Sequence, residues 1–195
     1  MSVQSLKAAL RAEMRRAIKA LAAEQRLAAS AAACAQLQTQ PIWRRARTIL
    51  GYVALPDELE LAPLLVQARA AGKIVALPRY VANQSRYEAA QIQDLDGHLV
   101  PGRYGIGEPA AGCASFPLNQ LDLALVPGVC FDLMGRRLGR GRGYYDQLLE
   151  SVRGIRCGVG WDVQVRSEIP VEPHDAVLDC ILTPTRWISL NRRAD

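Results

Sequence analysis

Leu121–Pro127 reads LDLALVP, a nearly uninterrupted apolar run closed by proline. A strand with so few polar positions belongs in a sheet covered on both faces, the environment of a parallel strand. Similar short, β-rich runs recur at 48–53 (TILGYV), 73–78 (KIVALP, stopped by Pro78), 86–92 (RYEAAQI), 155–161 (IRCGVGW) and 177–183 (VLDCILT). Helical patterns fall between them. LELAPLLVQARAAG (59–72) carries Gly72 near its end, and YYDQLLESV (144–152) reads as a second helix. Strands alternating with helices predict an α/β fold, a layered sandwich with a mostly parallel central sheet flanked by helices. VPGRYGIGEPAAG (100–112) is rich in turn formers and reads as loop.

The chain opens differently. Leu6, Leu10, Met14, Ile18 and Leu21 recur at spacings of four, four, four and three, one face of an amphipathic helix. Alanine-rich sequence extends this N-terminal helical segment to about Gln38, with a break near Ala22–Glu24, and Pro41 closes it. Lys7 and Arg11 stand four apart on one face and can reach toward one anion together. No repeat, low-complexity linker or composition shift divides the chain, so residues 1–195 read as a single domain.

Charge and cysteine content narrow the function classes. The net charge of +5 favours an anionic partner: a nucleotide, a polyglutamylated small molecule or a nucleic acid. The five cysteines form no C-x-x-C pair and several lie in apolar runs, which points to reduced, buried thiols and a reducing compartment. With two histidines, a zinc site is not expected. No apolar run approaches the roughly 20 residues needed to span a bilayer. The first residues lack the apolar core of a secretory signal.

Gly135–Asp146, GRRLGRGRGYYD, packs four arginines and four glycines ahead of a Tyr-Tyr-Asp helix start. Such a run is poor packing material. It follows a buried strand and precedes a helix, where an α/β sheet binds its ligands and a helix presents free N–H groups. Glycines let the backbone approach an anion as a nest. Arg137, Arg140 and Arg142 can add bidentate contacts to phosphate. Asp146, a turn inside the helix, can hold Mg²⁺ or simply favour the helix's positive end. A phosphate cradle, an arginine-rich nucleic-acid loop and a solvated surface loop all remain open. The Walker A pattern and the dinucleotide fingerprint are both absent.

Residues 127–146, PGVCFDLMGRRLGRGRGYYD, resemble the signature of the 5-formyltetrahydrofolate cyclo-ligase family. The resemblance continues in Lys7-x-x-Leu10-Arg11, Gly51-Tyr52 with Glu58, Gly72-Lys73 to Pro78-Arg79, Tyr104-Gly105-Ile106-Gly107-Glu108-Pro109, Gln164, Ile169-Pro170, His174-Asp175 and Asp179, covering almost the whole chain. It implies a ligase forming C–N bonds, in which ATP and Mg²⁺ drive closure of 5-formyltetrahydrofolate to 5,10-methenyltetrahydrofolate with release of ADP and phosphate. An iminium phosphate would be the intermediate. It further implies a cytoplasmic monomer in one-carbon metabolism, with no nucleic-acid or membrane partner.

Carried onto this chain, the resemblance places ATP against Lys7, Arg11, Arg137, Leu138, Gly139, Arg140, Gly141, Arg142, Gly143, Tyr144 and Tyr145. Asp146 and Asp175 would hold Mg²⁺. Tyr52, Glu58, Tyr104 and Trp161 would meet the folate, with core packing an equal reading for Trp161. Arg137, Tyr145 and Glu58 would be the catalytic residues, and His174 an orienting or capping residue. The basic Arg140/Arg142 form of the loop resembles the Gly-Arg-Gly-Lys-Gly version found in eukaryotic members.

Overall fold

The computed structural model describes residues 2–95, 97–172 and 175–190. Two helices come first, α1 (Val3–Lys19) and α2 (Ala23–Thr39). Ser2 caps α1, its Oγ accepting the Ser5 N–H at 3.2 Å. At the break between the helices the Gln25 side chain turns back to accept the Ala22 N–H at 2.9 Å. Pro41 does more than end the segment. It stands in the first turn of a short helix, α3 (Pro41–Arg45), where a missing N–H costs nothing. The inward face of α1 also departs from the apolar stripe. Met14 and Ile18 are buried, but Leu6 is 39% exposed and Lys7 only 3%. Lys7 can turn inward because Glu172 and Asp175 each meet its Nζ at 2.8 Å.

The strands follow as β1 (Thr48–Leu50), β2 (Ile74–Val81), β3 (Arg86–Ile92), β4 (Leu99–Pro101), β5 (Gly107–Pro109), β6 (Ser115–Phe116) and β7 (Leu123–Pro127). After these come β8 (Cys130–Asp132), β9 (Arg137–Leu138), β10 (Ile155–Val159), β11 (Val165–Arg166), β12 (Cys180–Leu182) and β13 (Trp187–Ser189). Helix α4 (Ala62–Ala70) connects β1 to β2, and α5 (Tyr144–Glu150) precedes β10. Eight strands build the main sheet in the order β13-β12-β10-β7-β1-β2-β3-β6. The run from β12 to β2 is parallel, and the edges at β13, β3 and β6 are antiparallel. Between β1 and β7 the order reverses: the chain leaves β1 toward β2 on one side and returns as β7 on the other.

Two expectations change. β2 does not stop at Pro78 but continues to Val81, paired with β3. Pro78 lies past Leu50↔Ala76, the last pair with β1, and a strand flanked on one side tolerates a residue without an N–H. The loop at 100–112 contains a hairpin, β4 pairing with β5 in the register Val100↔Glu108. Its turn residues close the tight end, where the Gly102 N–H donates to Ile106 O at 2.8 Å.

β7 shows why the sheet needs helices on both sides. Leu123 and Leu125 join a core with Leu37 of α2, Trp43 of α3 and Leu64 of α4. Ala124 and Val126 join the opposite core with Leu148 and Leu149 of α5. All of β7 is buried. The five cysteines are free thiols; Cys34 is half-buried and the other four are buried. Burial pushes the Cys130 thiol up to about 11. Among the described residues no helix is long and apolar enough to cross a membrane.

Leu125→Ala removes a fully buried side chain from the centre of β7. It is expected to cost about 2–5 kcal/mol, read as a lower midpoint in urea unfolding. Substituting Leu27, 73% exposed on α2, leaves the midpoint nearly unchanged.

Candidate functional site

The site is assembled on the hairpin that follows β7. Asp132, fully buried at the end of β8, shapes its turn. Its Oδ1 accepts the Met134 and Arg136 N–H groups at 2.9 and 3.0 Å, and its Oδ2 accepts from Arg136 Nε at 2.6 Å. Gly135 completes the reversal at φ +83°, with Leu178 O too near for a side chain. The turn delivers Arg137 into β9, where only 4% of the residue is exposed. Arg137 Nη2 donates to Asp146 Oδ1 at 2.7 Å and Nη1 to Pro127 O at 3.3 Å. Its Nε is buried and has no hydrogen-bond partner among the described residues. A Cβ on Gly139 would come within 2.9 Å of Nη1, so that glycine makes room for the guanidinium; one on Gly128 would meet the Phe131 ring at 2.7 Å and the Arg137 Cγ at 3.1 Å, so that glycine makes room for the stem.

Helix α1 closes over the loop that continues from Arg137. Arg11 Nε donates to Gly139 O at 2.9 Å, and its guanidinium lies against Gly141, which sits at φ +97°. Lys7, one turn earlier, holds Glu172 and Asp175. Burial pulls its ammonium down in pKa, but the two carboxylates outweigh that and the net shift is upward.

Between these elements lies a cavity of about 350 Å³, a volume suited to a small-molecule ligand. It opens at the carboxyl ends of β1 and β7, at Tyr52–Val53 and Pro127–Gly128. That is the switch point of the parallel strand order, where α/β sheets place their ligands. One wall carries Arg137, Gly139, Arg140, Arg142, Gly143 and Asp146. Opposite it, Glu58 takes the Leu55 N–H on Oε2 at 3.0 Å and Arg140 Nη2 on Oε1 at 2.9 Å. Burial raises the Glu58 carboxyl above its ordinary value, against the pull of the Leu55 N–H and the Arg140 charge. Tyr52 donates from its hydroxyl to Leu59 O at 2.8 Å. Burial, reinforced by the nearby Glu58, holds the Tyr52 and Tyr145 phenols well above their usual pKa, so both stay protonated hydrogen-bond donors at neutral pH.

The third wall comes from β2, β3 and the β4–β5 hairpin. Tyr80, Tyr87 and Tyr144 meet edge to face with centroids 5.2–5.8 Å apart. Glu108, 7% exposed, ties this wall together. It accepts from Tyr80 N at 2.8 Å, Arg103 N at 3.0 Å and the Tyr87 hydroxyl at 3.2 Å. Tyr87 was not singled out from sequence, yet it lines the cavity. Alternation along RYEAAQI places it on the same side of β3 as Ala89, against the α5 core, and that period was the signal available.

The expected residues thus converge in part. Tyr52, Glu58, Arg137, Gly139, Arg140, Arg142, Gly143, Tyr144, Tyr145 and Asp146 share the cavity, while Arg11 lies behind its glycine loop and Lys7 is off the wall, held by Glu172 and Asp175. Leu138 points away, into a small core with Met14 and Ile169, and its carbonyl accepts the Val129 N–H at 2.8 Å. Trp161 is 3% exposed in the main core, and its Nε1–H donates to Asp57 O at 2.9 Å. Gly141 is exposed. Asp175 is held by Lys7 and is not on the cavity wall. The backbone of Tyr104 forms part of a single helical turn at 103–105, while its side chain and all of His174 lie outside the described residues.

A buried guanidinium, a glycine loop and a protonated phenol meet at the switch point of a parallel sheet, and they define an α/β protein with a cation-lined cavity of small-molecule size. The comparisons with known proteins narrow this class. The 5-formyltetrahydrofolate cyclo-ligase family model matches residues 3–184, and the chain belongs to that family. A 5-formyltetrahydrofolate cyclo-ligase from Mus musculus is 29% identical, covering 93% of this chain and 95% of its own. One from Escherichia coli K12 is 32% identical over 86% and 94%. The NMR structure of Aquifex aeolicus 5,10-methenyltetrahydrofolate synthetase superposes with a TM-score of 0.86 at 29% identity, covering 97% of this chain and 95% of that one.

Glu58 makes the site's electrostatics measurable. Its carboxyl pKa in the folded protein is raised from an ordinary 4.5, so folding favours the protonated form. Its stabilising contribution is complete at pH below that value and is lost as pH rises through the folded pKa. Across that window the stability of wild type relative to Glu58→Gln is expected to fall with increasing pH, measured by urea unfolding. A difference independent of pH would contradict the assignment.

Proposed function

We propose that this protein catalyses the ATP- and Mg²⁺-dependent closure of 5-formyltetrahydrofolate to 5,10-methenyltetrahydrofolate, releasing ADP and phosphate. Beyond family membership, one observation carries this reading: the buried Arg137 guanidinium, its Nε without a partner among the described residues, on the wall of a cavity large enough for small-molecule groups. Such a group is preorganised to meet developing negative charge and, staying protonated, acts as an electrostatic clamp.

The chemistry needs a way to expel an amide oxygen, a poor leaving group. The formyl oxygen attacks the γ-phosphorus, the bond to the β-phosphate oxygen breaks, and ADP departs. N10 of the folate then attacks the activated carbon and loses its proton, the C–O bond breaks, and phosphate leaves with the former formyl oxygen. No covalent enzyme intermediate is required. The protein aligns oxygen with phosphorus and stabilises charge. Arg137, Arg140, Arg142 and the Gly139–Gly143 backbone would face the triphosphate, with Arg11 supporting that loop from α1. Tyr145, kept protonated, would donate to the transferring group. Glu58, a half-compensated acceptor across the cavity, would order N10 or the formyl group, beside Tyr52.

Asp146 suits a Mg²⁺ ligand. Arg137 occupies its Oδ1, and no other protein group bonds its carboxylate among the described residues. Asp175, the second carboxylate expected at the ion, is paired with Lys7 off the cavity wall and is left out of the proposed Mg²⁺ site. Those residues contain no group of three or more metal-ligating side chains, which fits an ion taking most of its ligands from phosphate and water. Bound there, Mg²⁺ would neutralise charge on the phosphate oxygens.

The test is the ATP-dependent appearance of the near-ultraviolet absorbance of methenyltetrahydrofolate. Arg137→Ala and Asp146→Asn are each expected to lower kcat/KM by about 10²–10³, the scale of about 2.7–4 kcal/mol seen for removing one preorganised charge-stabilising donor. Circular dichroism should report an unchanged fold. Normal turnover in both variants, or no product from wild type, would overturn the reading.

A further inference from the structure

Arg140 joins two loops distant in the chain. Its Nη2 meets Asp57 Oδ1 at 2.6 Å and Glu58 Oε1 at 2.9 Å, and its Nε meets the same Glu58 oxygen at 3.2 Å. The two partners are not equivalent. The Glu58 side chain is 9% exposed and lines the cavity; Asp57 is 29% exposed and is absent from the wall. The acidic loop is anchored from behind. Trp161 Nε1–H donates to Asp57 O at 2.9 Å, Arg26 Nη1 to Pro56 O at 3.2 Å, and Tyr52 to Leu59 O at 2.8 Å. Arg140, by contrast, rides a loop with Gly141 at φ +97° and Gly143 at φ +69°, and its side chain is 40% exposed. The arginine is the most exposed of the three side chains.

A triphosphate on the same wall competes with these carboxylates for the guanidinium. Asp57, the more exposed of the two carboxylates, loses less when Arg140 leaves. Glu58 loses its cation while buried, which is unfavourable until another donor arrives. In the proposed reaction that donor is an N–H of the folate. We propose that Asp57 is a positioning residue: it holds Arg140 on the acidic loop, so that releasing the arginine to nucleotide and exposing Glu58 to folate are one event, and the two substrates bind cooperatively.

The inference rests on the functional reading above but fails separately from it. If each ligand binds only the released arrangement, each alone loses affinity by the same factor, and the first to bind returns that factor to the second. Coupling of about 5–150-fold is the usual range for such linkage. The experiment is calorimetric titration of a non-hydrolysable ATP analogue and of 5-formyltetrahydrofolate, each alone and in the presence of the other, with Mg²⁺ throughout. Wild type is expected to show reciprocal positive coupling. Asp57→Asn keeps the size and removes the charge. It should tighten both ligands alone by one common factor, reduce the coupling by that factor, and leave each affinity in the ternary complex unchanged. Asp57→Glu, which restores the charge, should recover coupling. Independent binding in wild type overturns the latch and leaves the function standing. So does coupling in Asp57→Asn equal to wild type, or a change in one ligand alone. Failure of wild type to bind either ligand overturns the functional reading and the latch with it.

Discussion

A guanidinium buried at the end of β7 is the constraint around which the site is built. Burying a charge is costly unless it is paired and hydrogen-bonded, and even a paired one rarely stabilises a fold more than apolar packing would. Arg137 nevertheless sits 4% exposed, with Asp146 and Pro127 O as its partners. Much of the local structure serves that placement. Asp132 makes the turn that delivers it, Gly128 and Gly139 leave it space, and α5 brings Asp146 to meet it. An arrangement this specific is poor as packing, and it fixes a guanidinium on the cavity wall.

The other cations near the cavity are organised by the same rule. Lys7 is balanced by Glu172 and Asp175, Arg11 donates to a backbone carbonyl, and Arg140 is divided between Asp57 and Glu58. Each has an anion or acceptor within the fold, so positive charge can be concentrated without mutual repulsion. The pairs also link elements far apart in sequence: α1 to the segment at 172–175, and the glycine loop to the one after β1. The arginine-bearing wall of the cavity and the wall that carries Glu58 are consequently joined by charge as well as by packing.

Much of this was legible in the chain. LDLALVP declared a strand buried on both faces, RYEAAQI is β3 residue for residue, and GRRLGRGRGYYD marked the loop at the mouth of the sheet. Edges were less legible. Pro78 reads as a stop, and whether it stops a strand depends on which neighbours the strand still has at that point. The β4–β5 hairpin hides in turn formers because its pairing is secured by Glu108 bonding to Tyr80, Arg103 and Tyr87, contacts that no local pattern encodes.

The sequence by itself determined the class of fold, the order of its elements and the loop that bears the cations, because period, turn chemistry and residue type are local properties. Only the tertiary structure decided that Lys7 faces inward while Leu6 faces water, that Leu138 and Trp161 serve the core, and that Asp57 and Glu58 share Arg140. The physical reason is that a charge's environment is set by the groups packed around it. Those partners lie more than 80 residues away for Arg140 and more than 160 for Lys7.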